Sequence, residues 1–267
     1  MARPVVALLT DFGTLDHYAG TMKGVVLGVC PDATLVDITH DIAAHDVLGG
    51  ALELAAAYKY FPVGTVFLVV VDPGVGSSRR GIAVDVGDFK FVAPDNGVLT
   101  LVLEEHPPRK IVELTERRYA RPTVSRTFEG RDRFAPAAGW LAKGLELSAL
   151  GRIAGPVHQL DVPRPSTNGD RDAPIVRGEV LRVDRFGNLV TNIDRRTFEK
   201  MGGGSLDITI GDHQVTRFVT TYADAASGEV CALFGSTDHL EIAANGDSAA
   251  RQLAVGRGAA VTVARHA

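Results

Sequence analysis

The feature that most constrains the fold is an unbroken apolar run, FLVVV at residues 67–71, followed at once by Asp72, Pro73 and Gly74. A run so rich in β-branched residues predicts a strand buried on both faces, as in the parallel sheets of α/β proteins. Pro73 and Gly74 force a turn directly after it. Ligands of open α/β sheets bind beyond the carboxyl ends of strands, so the Asp72 carboxylate lies where chemistry is expected.

Two arginines, Arg79 and Arg80, follow Asp72 closely enough for one of them to fold back onto its carboxylate. An Asp–Arg pair at a loop mouth can orient a water molecule or grip a polar substrate. The same pair can instead be a salt bridge that fastens the turn. This segment alone favours neither interpretation.

The first half of the chain alternates strands with helices, which predicts an N-terminal α/β domain with a central, mostly parallel sheet. Its first strand, residues 4–10, ends at Asp11 and Gly13, so a second carboxylate follows a strand end. Asp11 either faces a ligand or caps the next helix, residues 17–29; its place before the turn favours the ligand. We also predict a helix at residues 46–60 and strands at 35–38, 82–86, 90–93 and 110–114.

The second half contains short alternating segments that predict a small antiparallel β-barrel. They lie at residues 178–184, 206–210, 228–234 and 259–263. Between the halves, residues 161–174 hold three prolines and few large apolar side chains, which is typical of a linker. The predicted domains are therefore residues 1–160 and 175–267, joined by the linker 161–174.

Composition excludes several classes of function. The net charge of −4 argues against a nucleic-acid-binding protein, which usually carries a strongly basic face. The two cysteines, Cys30 and Cys231, lack the spacing of a thiolate metal site and fit a reducing compartment. The absence of a long apolar run and of a secretory signal predicts a cytoplasmic protein with no membrane partner.

Two further segments carry side chains suited to ligands. Charged residues and Gly130 precede an alanine-rich segment, 137–145, predicted as a helix whose N-terminal end would favour anions; Asp132 could equally stabilise the helix entry. In residues 184–193, Phe186 offers a flat apolar face and the Asn188 amide offers a paired donor and acceptor, suited to a purine edge. The alternative for Phe186 and Asn188 is a hairpin turn.

Six blocks, taken together and in order, resemble the adenosine-forming S-adenosyl-L-methionine (SAM) hydrolases, also called SAM hydroxide adenosyltransferases. This family is related to the fluorinases and chlorinases. The resemblance covers nearly the whole chain. The blocks are LTDFG at 9–13, VDPGVGS at 71–77, APDNG at 93–97, GRD at 130–132, FGN with TNI at 186–188 and 191–193, and LEIA at 240–243.

The resemblance implies an N-terminal α/β domain, a C-terminal β-barrel, and a homotrimer with sites between neighbouring subunits. It implies that water or hydroxide attacks C5′ of SAM and releases adenosine and L-methionine, with no metal or redox cofactor. Two alternatives are an adenosine- or SAM-binding protein without turnover and a SAM-dependent halide adenosyltransferase. Halide transfer is disfavoured because the carboxylate of Asp72 would oppose an anionic nucleophile.

Carried over by position, Asp72 and Arg79 would orient and polarise the water, Asp11 would hold the ribose hydroxyls, and Phe128 would line the reaction pocket. The second domain would supply the residues for the rest of the substrate: Asp184, Ser236 and Glu241 for the methionine end, Asn188 for the adenine edge, Phe186 and Tyr222 for packing on the base, and the backbone near Ala244.

One position departs from the family's pattern. Where these hydrolases usually carry histidine, between Phe128 and Gly130, this chain has Glu129. Glu129 could replace the histidine as a proton acceptor, or its charge could repel hydroxide and slow the reaction. We place Glu129 in the catalytic set with Asp72 and Arg79 and expect hydrolysis to survive.

Overall fold

The computed structural model describes residues 3–169, 174–202 and 206–265. These residues divide after Asp161 into two compact units, here called the N-terminal and the C-terminal unit. None of the helices in the described part of the chain combines the length and the apolar character needed to cross a membrane.

The N-terminal unit is built on a sheet with seven described strands. The strands lie in the order β2-β1-β3-β5-β4-β6-β7. Pairing is parallel from β2 to β5 and antiparallel from β5 to β7, so five of the seven strands run in one direction. Their bounds are β1 Val5–Thr10, β2 Thr34–Thr39, β3 Val66–Val70, β4 Gly81–Asp85, β5 Lys90–Pro94, β6 Lys110–Leu114 and β7 Gly151–Ile153.

Both faces of this sheet are covered, because alternate side chains of each central strand enter different cores. Along β3, Leu68 and Val70 join one core, while Phe67 and Val69 join the other. Helices α1 and α4 contribute to the first core and α2 and α3 to the second. Their bounds are α1 Tyr18–Val29, α2 Val47–Ala57, α3 Thr100–Glu105 and α4 Ala135–Ala142.

Helix α4 begins two residues earlier than predicted and continues directly from one turn of π-helix, Gly130–Phe134. Asp132 anchors this turn: its fully buried carboxylate accepts hydrogen bonds from Arg131 Nε at 2.6 Å and Ser125 N at 2.8 Å. Single π turns are frequent at functional sites. Here the turn fixes the backbone between residues 129 and 133.

The C-terminal unit is an antiparallel sheet that curls into a nearly closed barrel, which confirms the predicted fold class. Its path is β12-β11-β15-β9-β10-β14-β13, with β8 beside β9. Ala232 on β13 accepts from Val219 N and donates to Arg217 O, so the segment after β12 joins the two ends of the path. The bounds are β8 Ser166–Asn168, β9 Ile175–Val183, β10 Leu189–Asp194, β11 Leu206–Ile210, β12 His213–Val215, β13 Val230–Phe234, β14 His239–Ala244 and β15 Ala260–Arg265, with short helices α5 Arg195–Glu199 and α6 Ala249–Leu253.

The segment predicted as a linker, residues 161–174, contains ordered structure within its described part. Val162 is buried, and Ser166–Asn168 forms β8, which pairs with the start of β9. Residues 170–173 of the predicted linker lie outside the described residues. Proline-rich composition conceals a strand this short, because proline is tolerated at the margins of edge strands.

Candidate active site

Asp72 lies just beyond the carboxyl end of β3, and Arg79 folds back onto it. Arg79 Nε donates to Asp72 Oδ1 at 2.9 Å, and Arg79 Nη2 donates to the other carboxylate oxygen. The two side chains are only 10 % and 5 % exposed. The prediction that one arginine returns to Asp72 is confirmed; Arg80 instead binds Asp95, with Nε 2.8 Å from Oδ2.

Glu129 approaches Arg79 from another side. Its Oε2 forms an ion pair with Arg79 Nη1 at 2.7 Å, without the alignment of a hydrogen bond. Its Oε1 accepts from Arg133 Nη1 at 3.1 Å. Asp72, Arg79, Glu129 and Arg133 therefore form a chain of alternating charges, here called the charge cluster. The three predicted catalytic residues are all part of it.

Arg79 carries a positive charge at the centre of this cluster. Burial acts to lower the pKa of Arg79, but Asp72 and Glu129 outweigh burial and hold that pKa above its ordinary value. The guanidinium also lies 5.1 Å from the centre of the Phe134 ring, close enough for a cation–π contact. Arg79 is thus a fixed cation between two carboxylates.

Asp11 directly precedes Phe12, whose ring packs with that of Phe128 in a group of aromatic side chains on the same unit. Asp11 Oδ2 accepts a hydrogen bond from the backbone N–H of His45 at 2.8 Å. The neighbouring Phe12 ring meets Phe128 edge-on, with ring centres 5.9 Å apart. Phe128 is buried and also packs against Tyr18 at 5.1 Å.

A tight turn in the C-terminal unit organises Asp184, Phe186 and Asn188. Asp184 Oδ1 accepts from the backbone N–H groups of Phe186 and Asn188, both at 2.9 Å, and Oδ2 accepts from the Asn188 amide at 2.9 Å. Gly187 is required here, because its φ is +87° and a Cβ would lie 2.0 Å from Ser248 Oγ. The turn leaves the Phe186 ring 76 % exposed. The Asn188 amide carries a second N–H and a carbonyl oxygen that suit an adenine edge.

Glu241 and Tyr222 form a second polar pair in this unit. The Tyr222 hydroxyl donates to Glu241 Oε2 at 3.0 Å. Burial, together with the negative charge of Asp184, raises the pKa of Glu241 although the hydroxyl lowers it. Burial and the Glu241 charge raise the pKa of Tyr222 to about 12, so Tyr222 remains a donor at neutral pH.

Ser236 and Ala244 lie at opposite ends of the hairpin that carries Glu241. Ser236 is exposed in the turn between β13 and β14, next to Gly235. The Glu241 carboxylate packs over Gly235 so closely that a Cβ there would lie 1.7 Å from Oε1. Ala244 ends β14 and is buried.

A surface cavity of about 490 Å³ opens elsewhere on the N-terminal unit, between α1 and α4. Gly24, Gly28 and Trp140 are among its lining residues, and none of the predicted site residues lines it. The predicted site is therefore defined by its polar side chains rather than by this cavity.

Comparison with known families decides the relationship. The family model for the SAM hydroxide adenosyltransferase N-terminal domain matches residues 6–151, and that for the C-terminal domain matches residues 178–262. The chain belongs to the SAM hydroxide adenosyltransferase family. The resemblance inferred from the six sequence blocks is confirmed.

Relatives within this family carry two kinds of name. An (R)-S-adenosyl-L-methionine hydrolase from Salinispora tropica is 37% identical over 94% of each chain. A fluorinase from Actinoplanes sp. is 29% identical over 98% of each chain. Among solved structures, one described as an uncharacterized conserved protein from Thermotoga maritima has a TM-score of 0.90 and 36% identity, covering 97% of this chain and 99% of that one.

Two residues of this SAM hydroxide adenosyltransferase family member escaped the sequence prediction. The contact of Arg133 with Glu129 was not predictable, because residues four apart face each other only within a helix. The sequence predicts a helix only from residue 137. Asn96 precedes Gly97, and an Asn-Gly pair by itself predicts only a turn. Asn96 Nδ2 also donates to Val71 O at 2.8 Å, directly beside Asp72. This contact is not predictable from sequence, because it requires β5 to lie beside β3 in the sheet although β4 separates them in the chain.

Proposed function

We propose that this protein hydrolyses (R)-S-adenosyl-L-methionine at C5′ to adenosine and L-methionine. The observation that carries the proposal is the buried Asp72–Arg79–Glu129 cluster at the end of a central strand. The hydrolase names of relatives such as the Salinispora tropica protein support the substrate and its epimer.

The proposed reaction is a direct displacement. The oxygen of a water molecule forms a bond to C5′ while the C5′–sulfur bond breaks and its electron pair returns to sulfur. The water proton passes to the Asp72 carboxylate, which Arg79 holds in place. Because a sulfonium is already a good leaving group, we propose that no metal or redox cofactor takes part. The catalytic task is then to align a partly desolvated water opposite sulfur.

The remaining predicted residues divide among the parts of the substrate. Asp11 would accept hydrogen bonds from the ribose hydroxyls, and Phe128 would wall off the reacting carbon. Carboxylates suit the methionine end because its ammonium group is cationic. The C-terminal unit would supply Asp184, Ser236 and Glu241 for methionine, Asn188, Phe186 and Tyr222 for adenine, and the backbone at Ala244.

We propose further that the protein works as a cytoplasmic homotrimer in which neighbouring subunits share each substrate. The shared site is supported by the distribution of the predicted residues: the proposed catalytic side chains lie on the N-terminal unit, and the predicted adenine and methionine contacts lie on the C-terminal unit. A heterologous contact repeated around a three-fold axis would complete three equivalent sites.

The direct test is to incubate the purified protein with each SAM epimer and to quantify adenosine and methionine by chromatography. We expect equal amounts of both products from the (R)-epimer. Asp72→Asn keeps the shape of the side chain but removes the proton acceptor, so turnover should fall by roughly 10²- to 10⁴-fold. Asp88→Asn, a change at an exposed aspartate, is the matched control.

Two results would contradict the proposal. Tight binding of SAM without products would indicate a binding protein. A halogenated nucleoside formed in halide buffer, in place of adenosine, would indicate a halide adenosyltransferase.

A further inference from the structure

Arg133 links Glu129 to the rest of the N-terminal unit. It follows Glu129 by four residues across the π turn, and its Nη1 donates to Glu129 Oε1 at 3.1 Å. Its Nη2 donates to the backbone carbonyl of Leu114, at the end of β6. The guanidinium is therefore fixed at both ends, with its side chain 24 % exposed.

Glu129 needs this second cation. Asp72 already takes two N–H groups of Arg79, so Arg79 alone would have to neutralise two carboxylates. A buried carboxylate without a full partner is strongly destabilising, and nearby like charges add to that cost. With Arg133 present, two guanidinium groups balance two carboxylates.

The same contacts limit what Glu129 can do. Its Oε1 is bound by Arg133, and its Oε2 is shielded from solvent and turned toward Arg79. Both oxygens of Glu129 therefore face guanidinium groups. Under the proposed function, Glu129 acts on the reacting water through its ion pair with Arg79.

We propose that Arg133 is a positioning residue that holds Glu129 against Arg79, and so allows a second carboxylate to lie beside the Asp72–Arg79 pair. Glu129 in turn fixes the side of Arg79 that Asp72 does not reach. This inference rests on the proposed hydrolase function, because its readout is turnover of SAM.

The test is a double-mutant cycle on kcat and KM with Glu129→Gln, Arg133→Met and the combined variant. Each single change should lower kcat by roughly 10- to 100-fold with little change in KM, since a displaced Arg79 misaligns the water. If Arg133 acts through Glu129, the combined variant should be no worse than Glu129→Gln alone. Arg133→Lys, which keeps the cation, should recover part of the lost rate.

A replacement experiment tests the same point in the opposite direction. Glu129→His should be slow by itself, because it removes the anion that faces both guanidinium groups. Adding Arg133→Met to Glu129→His should raise kcat at least about tenfold over the single variant, if the two positions work as a unit. The control is Arg152→Met, which removes a surface ion pair with Glu113 and should leave kcat unchanged.

The outcomes separate the two proposals. Losses that simply multiply in the double-mutant cycle, or no gain from adding Arg133→Met to Glu129→His, would overturn the role of Arg133 while leaving the hydrolase intact. No turnover in the unmodified protein would overturn the proposed function and this inference with it. Thermal unfolding of every variant distinguishes lost positioning from lost folding.

Discussion

Glu129 and Glu241 are both buried carboxylates, and their surroundings suit them to different tasks. Glu129 is held between two guanidinium groups. Glu241 instead accepts a hydrogen bond from the neutral Tyr222 hydroxyl, and its pKa is raised by burial and by Asp184. A carboxylate in that environment gains most from an added cation, such as the ammonium group of an amino acid.

Replacing Glu241 with glutamine should therefore stabilise the protein while weakening substrate binding. The folded-state pKa of Glu241 lies above its ordinary value of 4.5, so ionisation opposes folding as pH rises through and above that value. At neutral pH we expect Glu241→Gln to have a higher Tm and a higher KM for SAM. The Tm difference should shrink toward about pH 4, where the wild-type carboxyl is protonated in both states.

Calorimetry at both pH values measures this difference. A Glu241→Gln variant that is less stable than the wild type at neutral pH would contradict the conclusion that ionisation of Glu241 opposes folding. Tyr222→Phe is a useful companion, because it removes the hydrogen-bond donor and leaves the Glu241 carboxylate in place.

Contacts at a strand end can be predicted from sequence when the interacting residues are close together in the chain. The apolar run and the short spacing after Asp72 were enough to predict that Arg79 or Arg80 folds back onto Asp72, because few residues separate the partners. The family resemblance, rather than the spacing, indicated Arg79. The order of the strands was not predictable: β4 follows β3 in sequence, yet β5 lies between them in the sheet. That order depends on packing over the whole unit.

Short or irregular elements were also missed in the C-terminal unit. Strands β8 and β12 have three residues each, too few for alternation to register. Strand β10 follows directly after the Asp184 turn, and the sequence prediction treated its residues as part of that turn segment. Side-chain chemistry indicated Asn188, whereas only the family resemblance indicated Glu241.

Asn96, which lies just after β5, connects this strand to the end of β3 by a side-chain hydrogen bond. Its amide donates to the last carbonyl before Asp72, and its Oδ1 accepts from Val98 N at 3.2 Å. Asn96→Ala should lower the free energy of unfolding by about 1 kcal/mol and reduce kcat more than it raises KM, because Asp72 loses its backbone support. Denaturant unfolding and steady-state kinetics measure the two effects. An unchanged kcat would show that Asn96 only closes its own turn.

The family models match both units, and the proposed roles divide between them. This division makes the shared-site trimer testable without a structure of the assembly. Under the proposed roles, Asp72→Asn should disable the catalytic part of the site, and Glu241→Gln should weaken binding of the methionine end. If each site combines units from neighbouring subunits, some sites in a mixed trimer escape both changes.

Unfolding and refolding the two variants together at equal amounts should thus restore activity. With random assortment, about a quarter of the sites would be intact, and at SAM concentrations well below the KM of Glu241→Gln the measured rate should exceed that of either variant refolded alone. Light scattering on the same samples reports the mass of the assembly. A mixture no more active than its components would indicate that each subunit contains its own complete site.

The charge cluster joins two carboxylates and two guanidinium groups, so its formal charges sum to zero, and its side chains are mostly buried. Dissolved ions screen exposed charges over a Debye length of about 8 Å at physiological ionic strength, but they reach buried pairs poorly. The geometry of the charge cluster should therefore depend little on salt concentration. Under the proposed function, the turnover number for SAM should change little between low and high salt.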